Sequence, residues 1–431
     1  MKKPSLLILF LAVFMDLVGF GIVLPLLPIY SRNFGAPGPL LGLIMASYSM
    51  MQFIFTPLWG RLSDRIGRRP VLLISSAGVA LSYVVFAYGS GLEGVTALAV
   101  LLGSRIVAGI CGSSITVAQA YIADITPPED RTKRMGLIGM AFGLGFIFGP
   151  ALGAFAVKAF GATGPGWVAA AICATNFVLA YFLLPESLKP NSEHVPQRPH
   201  LSQWAHTLRT PKVGLLVGLF FLATFCFTSF ETTLGLLVGH NFQLDAKKAE
   251  DATVIGILFA YCGLVGAAVQ GGSIGRLVKK FGEPLLLTLS LLLVAVGLAW
   301  LPFVAGTTGL SWHVLAERAG LGWWSLFGAL AFLAIGSSLT RPPIFGLISA
   351  LTPAAEQGAT LGITQSAGSL ARIFGPIFAG SLFDLKPAYP YLICAVISLL
   401  ACLIAWQRLH KADASLAVGK VPEAESPQPV K

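Results

Sequence analysis

Two stretches of this chain read as copies of one another: ITPPEDRTKRMGLIGMAFGLGFIFGPALG at 125–153 and LTPAAEQGATLGITQSAGSLARIFGPIFA at 351–379. At a constant offset, Thr126-Pro127 aligns with Thr352-Pro353, Gly136 with Gly362, and Ala141 with Ala367. Ile147-Phe148-Gly149-Pro150 aligns with Ile373-Phe374-Gly375-Pro376. Glycine-rich apolar helices share residues by chance, but rarely in an unbroken run that includes Gly-Pro. A second, weaker echo joins GRLSDRIG from Gly60 to GRLVKKFG from Gly275. Each echo falls at an equivalent place in its half. Duplicated helix bundles of this kind enclose a pathway at their interface, and rocking opens it to alternate sides.

The composition says what solvent surrounds the two halves. Hydrophobic residues make up 55% of 431, and charged residues only 11%. A soluble globule carries roughly a quarter charged residues. The mean hydropathy is +0.78. Apolar runs long enough to cross a bilayer recur along the chain. They predict twelve spans, near 6–30, 39–61, 71–90, 95–122, 134–158, 165–184, 212–239, 251–275, 284–304, 323–350, 357–383 and 388–406. The expected architecture is an all-α membrane protein of two pseudo-symmetric six-helix bundles. Residues 1–186 form the first bundle and 212–408 the second. The polar, proline-rich segment 187–211 reads as a linker on the side of the termini, with a short surface helix near 202–208. Residues 409–431 read as a disordered tail.

Lysine and arginine sort the loops. One side carries Arg61, Arg65, Arg68, Arg69, Arg131, Lys133, Arg134, Lys189, Arg198, Arg209, Lys212, Arg276, Lys279 and Lys280. Lys2, Lys3, Arg408 and Lys411 put both termini there too. The other side carries fewer: Arg32, Lys158, Lys247, Lys248, Arg318 and Lys386. Both termini are therefore expected in the cytoplasm, with the chain in the inner (plasma) membrane. The net charge of +10 is mostly this topology signal, and no soluble domain offers a nucleic-acid surface. The six cysteines and six histidines lack metal-ligand spacing, so no metal, cofactor or disulfide is expected.

GRLSDRIGRRP at Gly60–Pro70 resembles the signature loop of the major facilitator superfamily, between its second and third helices. DLVGFGIVLPLLPIY from Asp16 resembles the first helix of the drug:proton antiporter branch, which includes tetracycline-efflux-like proteins. SRIVAG, with Arg105 and Gly109, is similar to that branch's intramembrane arginine motif. GFIFGPALG, with Gly145, Gly149, Pro150 and Gly153, is similar to its antiporter motif in helix five. The resemblance spans about 6–407. It implies twelve helices, alternating access and export of a small organic molecule against protons. It also implies a gating role for Gly60, Asp64, Arg65, Gly67, Arg68 and Arg69. Lys279 stands where Asp64 stands in the first copy, so the full acidic lock is expected in the first half alone.

The residues also carry their own reading. An acidic side chain at Asp64 can accept hydrogen bonds from the N-terminal amides of a neighbouring helix. The arginines beside it can pair with acids at other helix ends, or simply anchor the loop against lipid headgroups. Gly60 and Gly67 suit tight turns. Asp124 is a salt-bridge partner for this basic loop. Inside the spans, Asp16, Arg105, Glu231 and Arg341 are costly in hydrocarbon unless paired or facing a cavity. Asp16 and Glu231 are candidates for proton coupling or substrate contact; a structural hydrogen bond is the competing role for Asp16. Arg105 keeps its proton and needs an acceptor, with Asp16 a candidate. Arg341 precedes Pro342-Pro343, where a helix break facing substrate is expected, and Arg372 lies four residues before Pro376; snorkelling or helix–helix pairing is the competing role for both arginines. Gln119, Gln270 and Gln365 are amides that can reach the pathway. Phe225, Phe227 and Phe230 line an apolar cavity or pack in the core.

An enzyme reading has no support in HExxH, GxSxG or Walker motifs, and the missing nucleotide loop favours secondary transport. The expected partners are a small amphipathic organic substrate (cationic or zwitterionic), protons and membrane lipids, in a monomer. Import, uniport and a receptor built on the same scaffold remain the alternatives.

Overall fold

A computed structural model of the chain describes residues 6–23, 26, 27, 30, 34, 38–112, 114–188, 200–243, 249–306, 320–353 and 356–418. Lys2, Lys3, Arg32, Lys189, Arg198, Lys247, Lys248 and Arg318, which entered the loop-charge reading, lie outside these residues. So does 419–431 of the expected tail.

Hydrocarbon offers the backbone no hydrogen-bond partner, so each span must close its own bonds as a helix. The first half contains α1 (Leu6–Val23), α2 (Gly38–Ile66), α3 (Arg68–Ser90), α4 (Gly94–Cys111 resuming as Ser114–Ile125), α5 (Pro128–Phe160) and α6 (Gly164–Leu183). A linker helix, His200–Arg209, follows. The second half contains α7 (Pro211–Phe242), α8 (Ala249–Ala268, a π-helical turn at Val269–Ser273, then Ile274–Phe281), α9 (Glu283–Trp300), α10 (Leu321–Leu351), α11 (Gln357–Leu385) and α12 (Tyr389–Val418). The twelve-helix, two-bundle architecture is the expected one. Pro128, Pro165, Pro211 and Pro284 sit in the first turns of their helices, where the missing N–H costs nothing.

Several details differ from the sequence reading. Asp64 and Arg65 are not in a loop but in the last turn of α2, and Arg68 and Arg69 open α3. Gly67 alone reverses the chain, at φ 102°, a conformation glycine adopts at no steric cost. Gly282 does the same between α8 and α9, at φ 73°. No helix break follows Arg341: α10 runs through Pro342 and Pro343. The break lies in α4 instead, at Gly112. α12 continues helically to Val418.

Among the described residues, ten helical stretches are long and apolar enough to cross a membrane. The two long helices that fall short are α2 and α11, and among the described residues they form the most extensive helix pair. Their polar residues face one another across the two halves rather than lipid. Along this seam, Gly60 meets Gly358, Pro57 meets Gly362, and Ser366 donates to the Phe53 carbonyl at 2.6 Å. Gly60 is thus a contact residue inside a helix rather than a turn residue. A Cβ there would collide with the Gly358 carbonyl.

The buried cores show how the halves are joined. One core draws on both halves, through the beginnings of α1, α5, α7 and α11 and the ends of α4, α10 and α12; Leu9, Tyr121, Met135, Phe220, Ile344, Leu361 and Ala405 belong to it. All these helix ends lie on the side of the basic loops, here called the basic face. Towards the opposite face the core divides. Among the described residues, Val18, Ile22, Tyr83, Phe86 and Cys173 cluster within the first half. Phe230, Leu234, Trp323, Leu330 and Tyr391 cluster within the second. The halves are fused at the basic face and packed separately beyond it.

Candidate functional site

The site has two tiers: a latch at the basic face and a polar interior between the halves.

The latch is built on Asp64. Its Oδ1 accepts the Gly358 N–H and its Oδ2 the Ala359 N–H, both at 3.0 Å. These are unpaired amides of the first turn of α11, where the helix dipole favours an anion. Arg68 donates from Nη1 to Asp64 at 2.5 Å and to Ser63 at 2.7 Å, and from Nε to Asp124 at 2.9 Å. Arg68 is fully buried, so its two carboxylate partners offset a large desolvation cost. Asp124 also accepts from Ser187 at 2.9 Å. Arg69 donates to the Tyr181 carbonyl at 2.6 Å and lies over the Tyr181 ring. Arg65 is exposed.

Glu186 was not singled out from the sequence. Its carboxylate accepts the N–H groups of Arg68 at 2.8 Å and Arg69 at 3.1 Å, capping α3. A lone glutamate after a span carries no local signal for this role; only the return of α6 beside α3 creates it.

The other half contributes a counterpart. Arg131 donates to the Ser349 carbonyl at 2.8 Å, joining α5 to α10. The Thr132 hydroxyl donates to Glu283, the first residue of α9. By the repeat, Thr132 occupies the place of Gly358 and Glu283 that of Arg68. The second half therefore places its acid next to Gly282 rather than at Lys279, and the two inter-half contacts are related but chemically unlike.

In the interior, Asp16 on α1 is buried and accepts from Asn176 of α6 at 2.8 Å. Asn176 also donates to the Ala12 carbonyl and to Ser76. The other Asp16 oxygen has no hydrogen-bond partner among the described residues. Arg105 on α4 is 2% exposed, lies 5.6 Å from the Tyr83 ring centre and 5.5 Å from that of Phe86, and leaves Nε and Nη2 without a hydrogen bond to any described residue. Asp16 and Arg105 are not an ion pair. Tyr48 and Tyr83 lie close to both charges, and aromatic faces stand in for the carboxylate.

The break in α4 is part of this interior. The carbonyls it frees are met by side chains of neighbouring helices. Trp59 donates to Ile110 at 2.6 Å, Ser75 to Cys111, and Gln52 to Gly112 at 2.9 Å. Gln52 also donates to Tyr48 at 2.9 Å and accepts from Arg372 of α11 at 3.2 Å. A polar chain thus crosses from the first half to the second. The sequence reading missed Tyr48, Gln52 and Asn176, since uncharged polar residues in spans are common.

Glu231 on α7, Arg341 on α10 and Arg372 on α11 are deep in the protein yet partly accessible, so they face an internal space rather than a packed core. Arg341 lies 5.4 Å from the Phe142 ring centre and 5.8 Å from that of Phe220. Gln119 and Gln365 meet across the halves at 3.4 Å. Gln270 sits in the π-helical turn of α8 and donates to the Ser338 carbonyl at 2.8 Å. Phe225, Phe227 and Phe230 belong to the second-half core or pack against it.

α5 carries two glycine faces. Gly145, Gly149 and Gly153 meet Leu17, Gly21 and Ile22 of α1, within the first half. Gly136, Gly139 and Gly143 meet Gln270 and Gly263 of α8, across the halves. Small residues let helix backbones approach closely, which is how membrane helices gain packing energy. Pro150 lies inside α5 and is exposed. Among the described residues no group of His, Cys, Asp and Glu is arranged to hold a metal, and the six cysteines are unpaired thiols.

The sequence matches the family model of the Major Facilitator Superfamily over residues 9–317 and 314–431. It is 33% identical over 380 residues to the tetracycline resistance protein, class E, of Escherichia coli, covering 86% of each chain. It is 28% identical over 422 residues to multidrug resistance protein 2 of Bacillus subtilis (strain 168), covering 96% of this chain and 98% of the relative. The crystal structure of the human organic anion transporter MFSD10 (TETRAN) superposes with a TM-score of 0.76 at 26% identity, covering 94% of this chain and all of that one. With the duplicated bundles, the α2–α3 motif and the shared core at one face, these matches place the chain in the major facilitator superfamily, in the branch of the tetracycline and multidrug resistance proteins.

Proposed function

We propose that this transporter exports a small amphipathic organic molecule in exchange for protons, by alternating access. One observation carries the reading: the halves share a core at the basic face and are packed separately beyond it, with charged side chains in the space between. In this reading the basic face is cytoplasmic, as its lysine and arginine bias favours. The protein then stands closed to the cytoplasm and open to the other side. The latch of Asp64, Arg68 and Asp124 holds that state and must part for substrate to enter from inside. Asp16 and Glu231 are the candidate proton carriers, one in each half. The seam between α1 and α5 keeps the first half tight while the bundles rock. Both bundles lie in one chain, which favours a monomer in the inner membrane.

The test uses purified protein in proteoliposomes. An imposed pH gradient should drive accumulation of a substrate, found by screening amphipathic compounds, against its own gradient. Asp16→Asn and Glu231→Gln, measured separately, should each reduce pH-driven flux while downhill exchange survives in at least one of them. Substrate movement that ignores the pH gradient in the unmodified protein sinks the antiport reading.

A further inference from the structure

We propose that Arg341 and Arg372 form a docking site for the anionic group of the transported molecule. This deepens the export reading and rests on it for the word transported. Three positions in the second half converge: Glu231 on α7, Arg341 on α10 and Arg372 on α11. All three are deep and partly accessible. Phe220, which Arg341 overlies, packs against Gly368 of α11, next to the Ser369 that Arg372 binds, and Glu231 is the carboxylate whose charge reaches both arginines. Two cations against one anion leave one positive charge unbalanced.

The hydrogen bonding points the same way. Arg372 uses Nη2 for both of its bonds, to Gln52 at 3.2 Å and Ser369 at 2.9 Å. Arg341 has no hydrogen bond to a described residue; it is held by the faces of Phe142 and Phe220. Each guanidinium carries five N–H donors in a planar fork suited to a carboxylate or sulfonate. Most of these donors stay unused beside an internal space. Like charges in a low-dielectric interior are costly, and an incoming anion relieves that cost. A cation gains only Glu231 and meets two arginines. The half-buried Phe142 ring beside Arg341 gives the apolar body of such a ligand a surface. Phe142 belongs to the first half and the two arginines to the second, so both bundles touch one ligand.

Of the cationic or zwitterionic substrate expected from the sequence, this site favours the zwitterionic form. The occupant is an amphipathic molecule with an anionic head, and a zwitterion fits when its cationic end reaches Glu231.

The test is equilibrium binding to the purified full-length protein in detergent. The probes are three compounds of one skeleton: 2-naphthoate, its neutral methyl ester and 2-naphthylmethylammonium. The unmodified protein should bind the carboxylate about 10-fold or more tighter than the ammonium compound. Arg341→Gln and Arg372→Gln should each remove most of that preference, and Arg341→Lys should retain part of it. Glu231→Gln should tighten the carboxylate several-fold, because it removes the competing anion. Should an arginine variant fail to fold, Glu231→Gln still decides. Preference for the ammonium compound, or carboxylate binding that weakens in Glu231→Gln, overturns the assignment. So do equal affinities for all three probes. Binding of this kind without pH-driven flux would leave the site standing and remove the antiport reading; flux of a cation would do the reverse.

Discussion

Replacing Asp64 by asparagine tests the latch most directly. The carboxylate accepts one amide of α11 on each oxygen, and Arg68 on Oδ1. Asparagine keeps one acceptor and turns the other atom into a donor. Whichever way it is placed, an N–H of Gly358 or Ala359 then faces an NH₂ group. The loss is one hydrogen bond to a charged group, about 1.5–3 kcal/mol. The α11 N-terminus also loses its anion, worth roughly 1 kcal/mol in a buried setting. Side-chain exposure at the Arg68–Asp64 pair is 0% and 1%, so solvent screening does little to reduce these terms. Together they bias the halves towards separation at the basic face by about 3 kcal/mol, a population shift of roughly 150-fold. The assay is pulsed electron resonance between spin labels at Ile66 and Leu351. Both are exposed, one at the basic end of α2 and the other at that of α10. The unmodified protein should give a single short distance, and Asp64→Asn a second, longer population. An unchanged distance distribution in a folded Asp64→Asn protein would refute the latch argument.

Three further outcomes follow from the same geometry. Arg68→Ala leaves Asp64 and Asp124 without their shared cation in a buried setting, and should lower stability by about 3–5 kcal/mol, read as a large drop in detergent melting temperature. Gly149→Ala puts a Cβ 2.6 Å from the Gly21 Cα; α1 and α5 must separate, at a cost of about 1–3 kcal/mol, checked by melting and by loss of flux. Gln52→Leu strips the Gly112 carbonyl and Arg372 of a partner, and should cost about 1–3 kcal/mol while weakening carboxylate binding; unchanged melting and binding would show that the polar chain through Gln52 carries neither.

Much of the fold was legible because lipid imposes a simple rule. A span must be apolar and helical, so composition and periodic apolar runs expose it. The repeat at 125–153 and 351–379 exposed the duplication, and Gly67 and Gly282 kept the same turn in both copies. Asp64 was readable as a helix-capping acid, and Asp124 as a partner of the basic residues. Glycines spaced along α5 announced close packing. Which helix each glycine met was not readable: Gly149 faces α1 while Gly143 faces α8.

The interior charges separate the two kinds of knowledge most clearly. The sequence determined that Asp16, Arg105, Glu231 and Arg341 lie inside the protein, because charges facing hydrocarbon are rare. It did not determine their partners. Asp16 took Asn176 and Arg105 took two aromatic rings, although opposite charges in one half suggested a pair. Pro342-Pro343 suggested a break that α10 does not have, while α4 broke at Gly112, where Trp59, Ser75 and Gln52 meet the freed carbonyls. Those outcomes depend on which side chains neighbouring helices bring within about 3 Å, the reach of a hydrogen bond. Such distances join residues far apart in the chain, and only the packed tertiary structure sets them.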